Sequence, residues 1–278
     1  MAMETIAREL VPAGGESVKE RKNKQENPLK INILGATPLD FSINSTLDSI
    51  KEFLSQHFEI ISIFAMGSSI EDIQRAGEAD VNLVISSVGV LAAKVLEERF
   101  HTPYVIGTPI IGFENVLAEK LIESAWTKKS QTAYFNVSQK AHKKDTANST
   151  TIQNTEAVSN LKKIRSLTET IEKNKVSGNV YIIGESVISQ SLKAALALRY
   201  GIEATVICPL ETEPEYTEKD VLLLSSEEDI KEAIMDADTV IADPIYKTIC
   251  SEKVNFVAMP HEAYSGRIYR KEVCDFIH

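Results

Sequence analysis

The chain has 278 residues, enough for two compact domains that each bury a core. Its 40 acidic and 30 basic residues give a formal charge of −10, which repels nucleic-acid phosphates and anionic lipid headgroups. Its longest apolar runs fall short of the roughly 20 residues of a membrane span, and no secretory signal opens the chain. The sequence therefore predicts a cytoplasmic protein that binds neither nucleic acid nor membrane.

Residues 1–28 are predicted to form a flexible N-terminal arm. Within it, residues 11–29 combine two glycines, prolines and a basic polar run, a composition that has little apolar surface to bury. The preceding stretch ETIAREL has the pattern of a short amphipathic helix, and such a helix needs a partner for its apolar face.

The first predicted domain covers residues 29–112. The β-branched run KINILG indicates a strand, and apolar residues at helical spacing follow it. Two further strands, EIISIFAMG and DVNLVISS, flank the helix SSIEDIQRAGEA, and the helix VLAAKVLEERF leads to a fourth strand in TPYVIGTPI. Strands that alternate with helices predict a parallel sheet covered on both faces.

Residues 113–178 are predicted to be a helical connector. It begins with the helix FENVLAEKLIESAW and ends with a second helix in TEAVSNLKKIRSLTETIEKNK. Between them, residues 127–153 are polar and are predicted to be a mobile surface loop, either a lid or a simple connection.

Residues 179–278 repeat the strand, glycine and helix order of the first domain. The same order of elements occurs once in each domain: a helix that begins with acidic residues, then Ala-Asp, then an apolar strand. The two stretches are EDIQRAGEADVNLVIS and EDIKEAIMDADTVIAD. The predicted fold class is α/β, with two Rossmann-like lobes that each contain a parallel sheet flanked by helices.

Ligands of such sheets bind beyond the carboxyl ends of the strands, so the residues there are candidate cofactor-binding residues. Neither a G-x-G-x-x-G nor a G-x-S-x-G motif is present, and plain turns or helix caps are the alternative that the sequence favours for these residues. The candidates in the first lobe are Gly35, Asp40, Gly67, Ser68, Ser86 and Ser87. Those in the second lobe are Gly184 and Asp243.

The closing loop MPHEAYSGRIYR is the richest candidate. It places an imidazole, a carboxylate and a guanidinium within a few residues, a combination that suits an anionic ligand or a metal-bound cofactor. In the alternative interpretation, Arg267 pairs with Glu262 and the tyrosines pack in a core. The candidate residues of this loop are His261, Tyr264, Ser265 and Arg267.

Three cysteines, Cys208, Cys250 and Cys274, lie far apart and form no C-x-x-C pair. Their odd number and wide spacing indicate reduced thiols, and no local stretch has the cysteine pattern of an iron–sulfur or zinc site.

Several of these elements together resemble a known family. The strand INILG, the turn GSS before an acidic helix, the strand ADVNLV and the join EERFHTPY occur in the order and spacing of the middle domain of nitrogenase component 1 type oxidoreductases. That family contains the molybdenum–iron protein subunits, their cofactor-scaffold relatives and the dark-operative protochlorophyllide reductases. The last hundred residues resemble its final domain more loosely.

The resemblance implies three Rossmann-like domains, of which this sequence shows the pattern of two, without the cysteine-bearing N-terminal domain. It also implies an iron–sulfur or molybdenum–iron type cluster shared with a partner. At the place of the family's cofactor cysteine stands Ser86, and near the place of its cofactor histidine stands His261, which becomes the candidate metal ligand. A serine is a poor substitute for the thiolate ligand that iron prefers.

We therefore expect a nitrogenase component 1-like oxidoreductase subunit or fragment that is not itself a dinitrogen reductase. Its expected partners are a homologous subunit, or a second copy of the chain, and an ATP-dependent iron-protein reductase. One alternative is a non-catalytic scaffold or binding module that holds a metallocofactor or tetrapyrrole between the lobes. The other is an unrelated two-lobed small-molecule binding protein.

Overall fold

The structure is a computed structural model that describes residues 2–12, 28–41, 46–137, 165–265, 268–269 and 272–277. In these ranges the helices are α1 (Ala2–Glu9), α2 (Pro38–Phe41), α3 (Thr46–Ser55), α4 (Ile70–Gln74), α5 (Val90–Phe100), α6 (Glu114–Thr127), α7 (Leu167–Lys173), α8 (Ser186–Tyr200) and α9 (Glu227–Ala233). The strands are β1 (Leu29–Leu34), β2 (Phe58–Ile63), β3 (Val81–Val84), β4 (Tyr104–Ile106), β5 (Gln131–Thr132), β6 (Arg165–Ser166), β7 (Val180–Ile183), β8 (Ala204–Cys208), β9 (Leu222–Leu223), β10 (Thr239–Ala242), β11 (Asn255–Ala258) and β12 (Cys274–Asp275).

Two parallel five-stranded sheets form the two lobes, so the predicted fold class is confirmed. The first sheet has the order β2-β1-β3-β4-β5 and the second has the order β11-β10-β7-β8-β9. In each lobe a central strand, β3 or β10, is buried along its whole length. Such strands are mostly apolar because helices cover both faces of a parallel sheet.

The N-terminal helix α1 packs against α5, which differs from the flexible arm predicted for residues 1–28. Met3 and Ala7 are buried, so α5 covers the apolar face of this helix. The guanidinium of Arg99 donates to the carbonyl oxygens of Ala7 and Val11 at 2.6 and 2.8 Å. These bonds satisfy carbonyls that the end of a helix leaves unpaired. Residues 13–27 lie outside the described part of the chain.

The first lobe extends beyond the predicted boundary at residue 112. Helix α6 packs on β3 and β4, and Gln131–Thr132 adds a fifth strand to the sheet. This two-residue strand was not predicted, because it is too short to show a pattern. Of the loop predicted at 127–153, residues 138–153 lie outside the described ranges. A separate two-stranded sheet pairs β12 with β6.

The two lobes pack against each other over a continuous hydrophobic core. Helix α8 is buried from Ser186 to Ala197, and the hydroxyl of Ser191 within it accepts a bond from the Thr108 amide of the first lobe at 2.9 Å. A second bond, of 2.7 Å, runs from the Tyr134 hydroxyl to the carbonyl oxygen of Tyr216. This packing holds the carboxyl ends of β1 and β3 opposite those of β7 and β10. No helix in the described ranges is long and apolar enough to cross a membrane.

Candidate functional site

A small cavity lies between the lobes, where the carboxyl ends of the two sheets face each other. Its volume of about 30 Å³ leaves room for roughly two water molecules. Apolar side chains and the C-terminal stretch 273–276 form part of the wall. The polar side chains in the wall come from both lobes: Asp40, Thr46, Glu185, Ser189, Asp243, His261 and Tyr264.

Gly35 allows the ends of β1 and β3 to approach each other closely. It has a φ of +90°, and a Cβ there would lie 2.8 Å from the Ser86 hydroxyl. That hydroxyl donates to the Gly35 carbonyl at 2.7 Å and lies 3.2 Å from Asp40 Oδ2. The glycine at this strand end therefore makes room for protein atoms and leaves the buried Ser86 hydroxyl occupied.

Asp40 and His261 bring the two lobes together at the cavity. Asp40 Oδ2 accepts a 2.7 Å bond from the Thr37 hydroxyl, and Asp40 Oδ1 lies 3.4 Å from His261 Nε2. His261 Nδ1 accepts a 3.2 Å bond from the Ala263 amide. A neutral imidazole that accepts at Nδ1 carries its proton on Nε2, so His261 presents an N–H donor to the cavity.

Asp243 organises the closing loop. Its Oδ2 accepts bonds from the amides of His261 at 2.8 Å and Ser265 at 3.3 Å, and its Oδ1 accepts one from Ile245 at 2.9 Å. The carboxylate is only 3% exposed, so these bonds form away from water. This explains the position of Asp243 at a strand end without a direct role in chemistry.

Glu185 links the lobes through its carboxylate. Oε1 accepts a 3.0 Å bond from the Ser87 amide of the first lobe, and Oε2 accepts a 2.9 Å bond from Ile188 in the first turn of α8. Burial raises the pKa of the Glu185 carboxyl, and the negative charge of Asp40 also raises it, whereas the two amides oppose the shift. Tyr134, Cys208 and Tyr264 are the other titratable groups near this charge.

The raised pKa of Glu185 predicts a pH-dependent effect of its replacement. The pKa of this carboxyl is higher in the folded protein than in the unfolded chain, where it is near 4.5. Its contribution to the free energy of unfolding is therefore largest below pH 4.5 and is lost as the pH rises through the pKa of the folded state. We expect the destabilisation caused by Glu185→Gln to become smaller as pH rises above 4.5. Urea unfolding at several pH values measures this, with the exposed Glu228→Gln as control. A difference that stays constant or grows with pH contradicts the prediction.

The structure brings most of the predicted site residues to one place. Gly184, Asp40, Asp243, His261 and Tyr264 line the cavity, while Gly35, Ser86, Ser87 and Ser265 support its walls. Gly67 and Ser68 follow the outer strand β2, away from the cavity, where the Ser68 hydroxyl accepts from the Ile63 amide at 2.7 Å. Arg267 lies outside the described residues.

Three polar cavity residues, Thr46, Glu185 and Ser189, were not among the predicted site residues. Glu185 is the N-cap of α8, a position at which Ser, Thr, Asp or Asn is usual. The first two turns of α8, SVISQS, carry four polar residues in the buried part of the helix. Polar residues inside such a helix are the signal that points to a polar site, although they do not say where it lies.

The fold and the cavity define a class of protein: a two-lobed α/β protein with a small cavity at the facing carboxyl edges of its sheets. A family model described as nitrogenase component 1 type oxidoreductase matches residues 1–244. The chain therefore belongs to this family, and the resemblance predicted from the sequence is confirmed.

Similar proteins support this assignment over part of the chain. One subunit of the light-independent protochlorophyllide reductase of Leptolyngbya boryana is 36% identical over 89 residues, 31% of this chain and 17% of that protein. The corresponding protein of Rhodopseudomonas palustris (strain TIE-1) is 36% identical over 107 residues, 38% of this chain and 19% of that protein. The matched region thus spans less than a fifth of each of these two relatives.

A solved structure described as "Nitrogenase Cp1 at pH 5" shares the fold. Its TM-score is 0.54 at 12% sequence identity, and the alignment covers 95% of this chain and 55% of that one. At this identity the similarity concerns the fold alone.

The cavity does not fit an iron–sulfur or molybdenum–iron cluster. Its space of about 30 Å³ is that of roughly two waters, and in the described ranges no three His, Cys, Asp or Glu side chains are placed to hold a metal ion. Burial raises the pKa of the nearby Cys208 thiol to about 11, so this thiol is protonated at neutral pH. Cys274 Sγ lies 3.5 Å from the Thr170 hydroxyl. The predicted role of His261 as a metal ligand remains a prediction.

Proposed function

We propose that the chain is the substrate-binding part of a reductase of the nitrogenase component 1 class. In this proposal a polar group of the substrate enters the cavity between the lobes, and His261 donates a hydrogen bond to it. The cluster and the electrons come from a partner subunit and an ATP-dependent iron-protein reductase. The observation that carries the proposal is the cavity in which His261 Nε2 lies 3.4 Å from Asp40 Oδ1, because this pair joins both lobes around one space.

A tetrapyrrole is the substrate class we propose. The support comes from two proteins that are similar to part of this chain, because both are named as subunits of a protochlorophyllide reductase. A whole tetrapyrrole is far larger than the cavity, so in this proposal only a polar substituent enters it. The macrocycle itself then lies in the crevice outside the cavity.

The roles of the two residues follow from their bonds. His261 is held by the Ala263 amide at Nδ1, which directs its Nε2–H towards the cavity. Asp40 is held by Thr37 and lies beside the Nε2–H, so that its negative charge stabilises this orientation. His261 therefore contacts the substrate in this proposal, and Asp40 acts as a positioning residue.

The test is protochlorophyllide reduction by the chain co-purified with the proteins encoded beside its gene, with iron-protein reductase, ATP and dithionite supplied. We expect His261→Ala to lower kcat/KM by roughly 10- to 100-fold, since one hydrogen bond to the substrate is lost. The control is His57→Ala, which removes an exposed histidine of the first lobe. Equal rates for the wild type and His261→Ala would refute the proposal.

A second candidate function is a non-catalytic binding or scaffold module. It is favoured by the side chains that line the cavity. These offer mainly oxygen and nitrogen atoms, and Cys274 provides the single thiol. Such a module binds protochlorophyllide, which a titration followed by absorbance or fluorescence measures. It reduces none of the bound compound when the partner proteins, the reductase and ATP are present. Turnover in the assay above excludes this alternative.

A further inference from the structure

Three buried polar atoms belong to residues that line the inter-lobe cavity and have no hydrogen-bond partner among the described residues. They are Ser189 Oγ, Tyr264 Oη and His261 Nε2, of which His261 Nε2 makes a longer ion-pair contact of 3.4 Å with Asp40 Oδ1 but no hydrogen bond. Buried polar groups in folded proteins are nearly always paired, so three such atoms around one space require an explanation. A ligand that pairs with all of them provides one.

Each of the three atoms can donate a hydrogen bond. The Ala263 amide occupies His261 Nδ1, which leaves the proton on Nε2. Burial raises the pKa of the Tyr264 phenol, so it keeps its proton at neutral pH. The Ser189 hydroxyl is directed towards Gly184, where a Cβ would lie 2.9 Å from Oγ. Gly184 thus leaves open the space that this hydroxyl needs beside the cavity.

Most acceptors in the wall of the cavity, in contrast, already have partners. Backbone amides occupy both carboxylate oxygens of Asp243 and both of Glu185. Asp40 Oδ2 accepts from the Thr37 hydroxyl and lies within hydrogen-bond distance of the Ser86 hydroxyl, whereas Asp40 Oδ1 has only the ion-pair contact with His261 Nε2 at 3.4 Å. The hydroxyls of Ser189 and Tyr264 are thus donors beside acceptors that mostly have partners, which favours a ligand that supplies acceptors. The small volume limits the group that enters to about three heavy atoms.

We infer that the cavity binds a carbonyl or carboxyl group of a ligand through Ser189, His261 and Tyr264. An oxygen of such a group has two lone pairs and accepts from more than one donor at once. The ligand class is therefore a compound that carries a terminal aldehyde, amide or carboxyl group. This inference rests on the proposed function in that it uses the same cavity, but it requires binding only and no turnover.

The test uses two small probes, neutral formamide and anionic formate, titrated into the isotope-labelled full chain and followed by NMR. The amide signals of Ser189 and Ala263 report on the cavity. Because the probes have three heavy atoms, we expect dissociation constants of about 1 mM or weaker. Saturable shifts with formamide identify a carbonyl site, and those with formate identify a carboxylate site. No saturable shift with either probe overturns the inference.

Two conservative variants separate a ligand site from structural hydroxyls. Ser189→Ala and Tyr264→Phe each remove one donor and keep the shape, and we expect each to weaken probe binding by about fivefold or more. The melting temperature of the free protein should stay equal or rise, because each change removes a buried hydroxyl that has no partner. A lower melting temperature with unchanged binding would show that the hydroxyls are structural and would overturn the inference.

Tyr200→Phe is the matched control, because Tyr200 also has a buried hydroxyl without a partner in the described ranges, at the far end of α8. It should leave probe binding unchanged. The two proposals also fail separately. Probe binding without reductase activity refutes the proposed function alone, and reductase activity without probe binding refutes this inference alone.

Discussion

Gly89→Ala is expected to destabilise the protein by about 3 kcal/mol or more, because the added methyl group meets the backbone of a neighbouring strand. A Cβ at Gly89 would lie 2.7 Å from the Gly35 nitrogen and from the Leu34 carbonyl carbon, and 2.9 Å from the Leu34 oxygen. These atoms cannot rotate away, since they end the central strand β1. The φ of Gly89 is −82°, which alanine adopts readily, so the cost is steric and not conformational.

Urea unfolding measures this cost, and Gly201→Ala is the matched control. Gly201 has a φ of +65° and no atom within 4 Å of an added Cβ. Its replacement by alanine should lower the free energy of unfolding by only roughly 1 kcal/mol, which is the cost of holding alanine in the left-handed backbone conformation. Similar losses at the two positions would contradict the steric explanation. A shift of the strand end also moves Asp40 away from His261, so Gly89→Ala should weaken formamide binding.

The alternation of strands and helices in both lobes could be predicted from the sequence, because it depends on local patterns. Strands such as VNLV and TVIA are short, mostly apolar runs, and a helix with a serine cap precedes each of them. Helix α1 was recognisable as an amphipathic pattern, but its partner α5 was not. The contact depends on tertiary packing and on the Arg99 side chain, which no local pattern reveals.

The candidate site was predictable in part. The rule that ligands bind at the carboxyl ends of parallel strands selected Asp40, Gly184, Asp243 and His261, which all line the cavity. The same rule selected Gly67, which lies apart because it follows the outer strand β2. Which strand ends meet depends on how the two lobes pack, and that information is spread over many long-range contacts.

Gly35 shows why the sequence could suggest a site and still misplace the contact. The residue was predicted as a candidate cofactor-binding residue at a strand end, and it allows a close approach there, but to Ser86 beside the neighbouring strand. A glycine with positive φ is compatible with both occupants. A polar atom without a partner among the described residues, Ser189 Oγ, lies on a buried part of a helix whose orientation the sequence does not reveal.

Asp243→Asn is expected to destabilise the protein by roughly 2–4 kcal/mol and to abolish formamide binding. The carboxylate accepts from three backbone amides, those of Ile245, His261 and Ser265. An asparagine in the same position can keep one oxygen for Ile245, but its amide group then faces the other two donors. Buried amides left without an acceptor cost about 1–3 kcal/mol each. The loop that carries His261 and Tyr264 loses its support, so the donors no longer converge on the cavity.

The control for this prediction is Asp80→Asn, which changes another buried carboxylate that accepts from a backbone amide. Asp80 Oδ2 accepts from the Lys30 amide at 2.8 Å, before strand β3 and far from the cavity. Urea unfolding should show a loss of stability for both variants, whereas formamide titration should show a loss of binding only for Asp243→Asn. If Asp243→Asn bound formamide as the wild type does, the closing loop would not depend on this carboxylate. His261 would then owe its position to the ring contact with Tyr264, whose centroid lies 5.1 Å away.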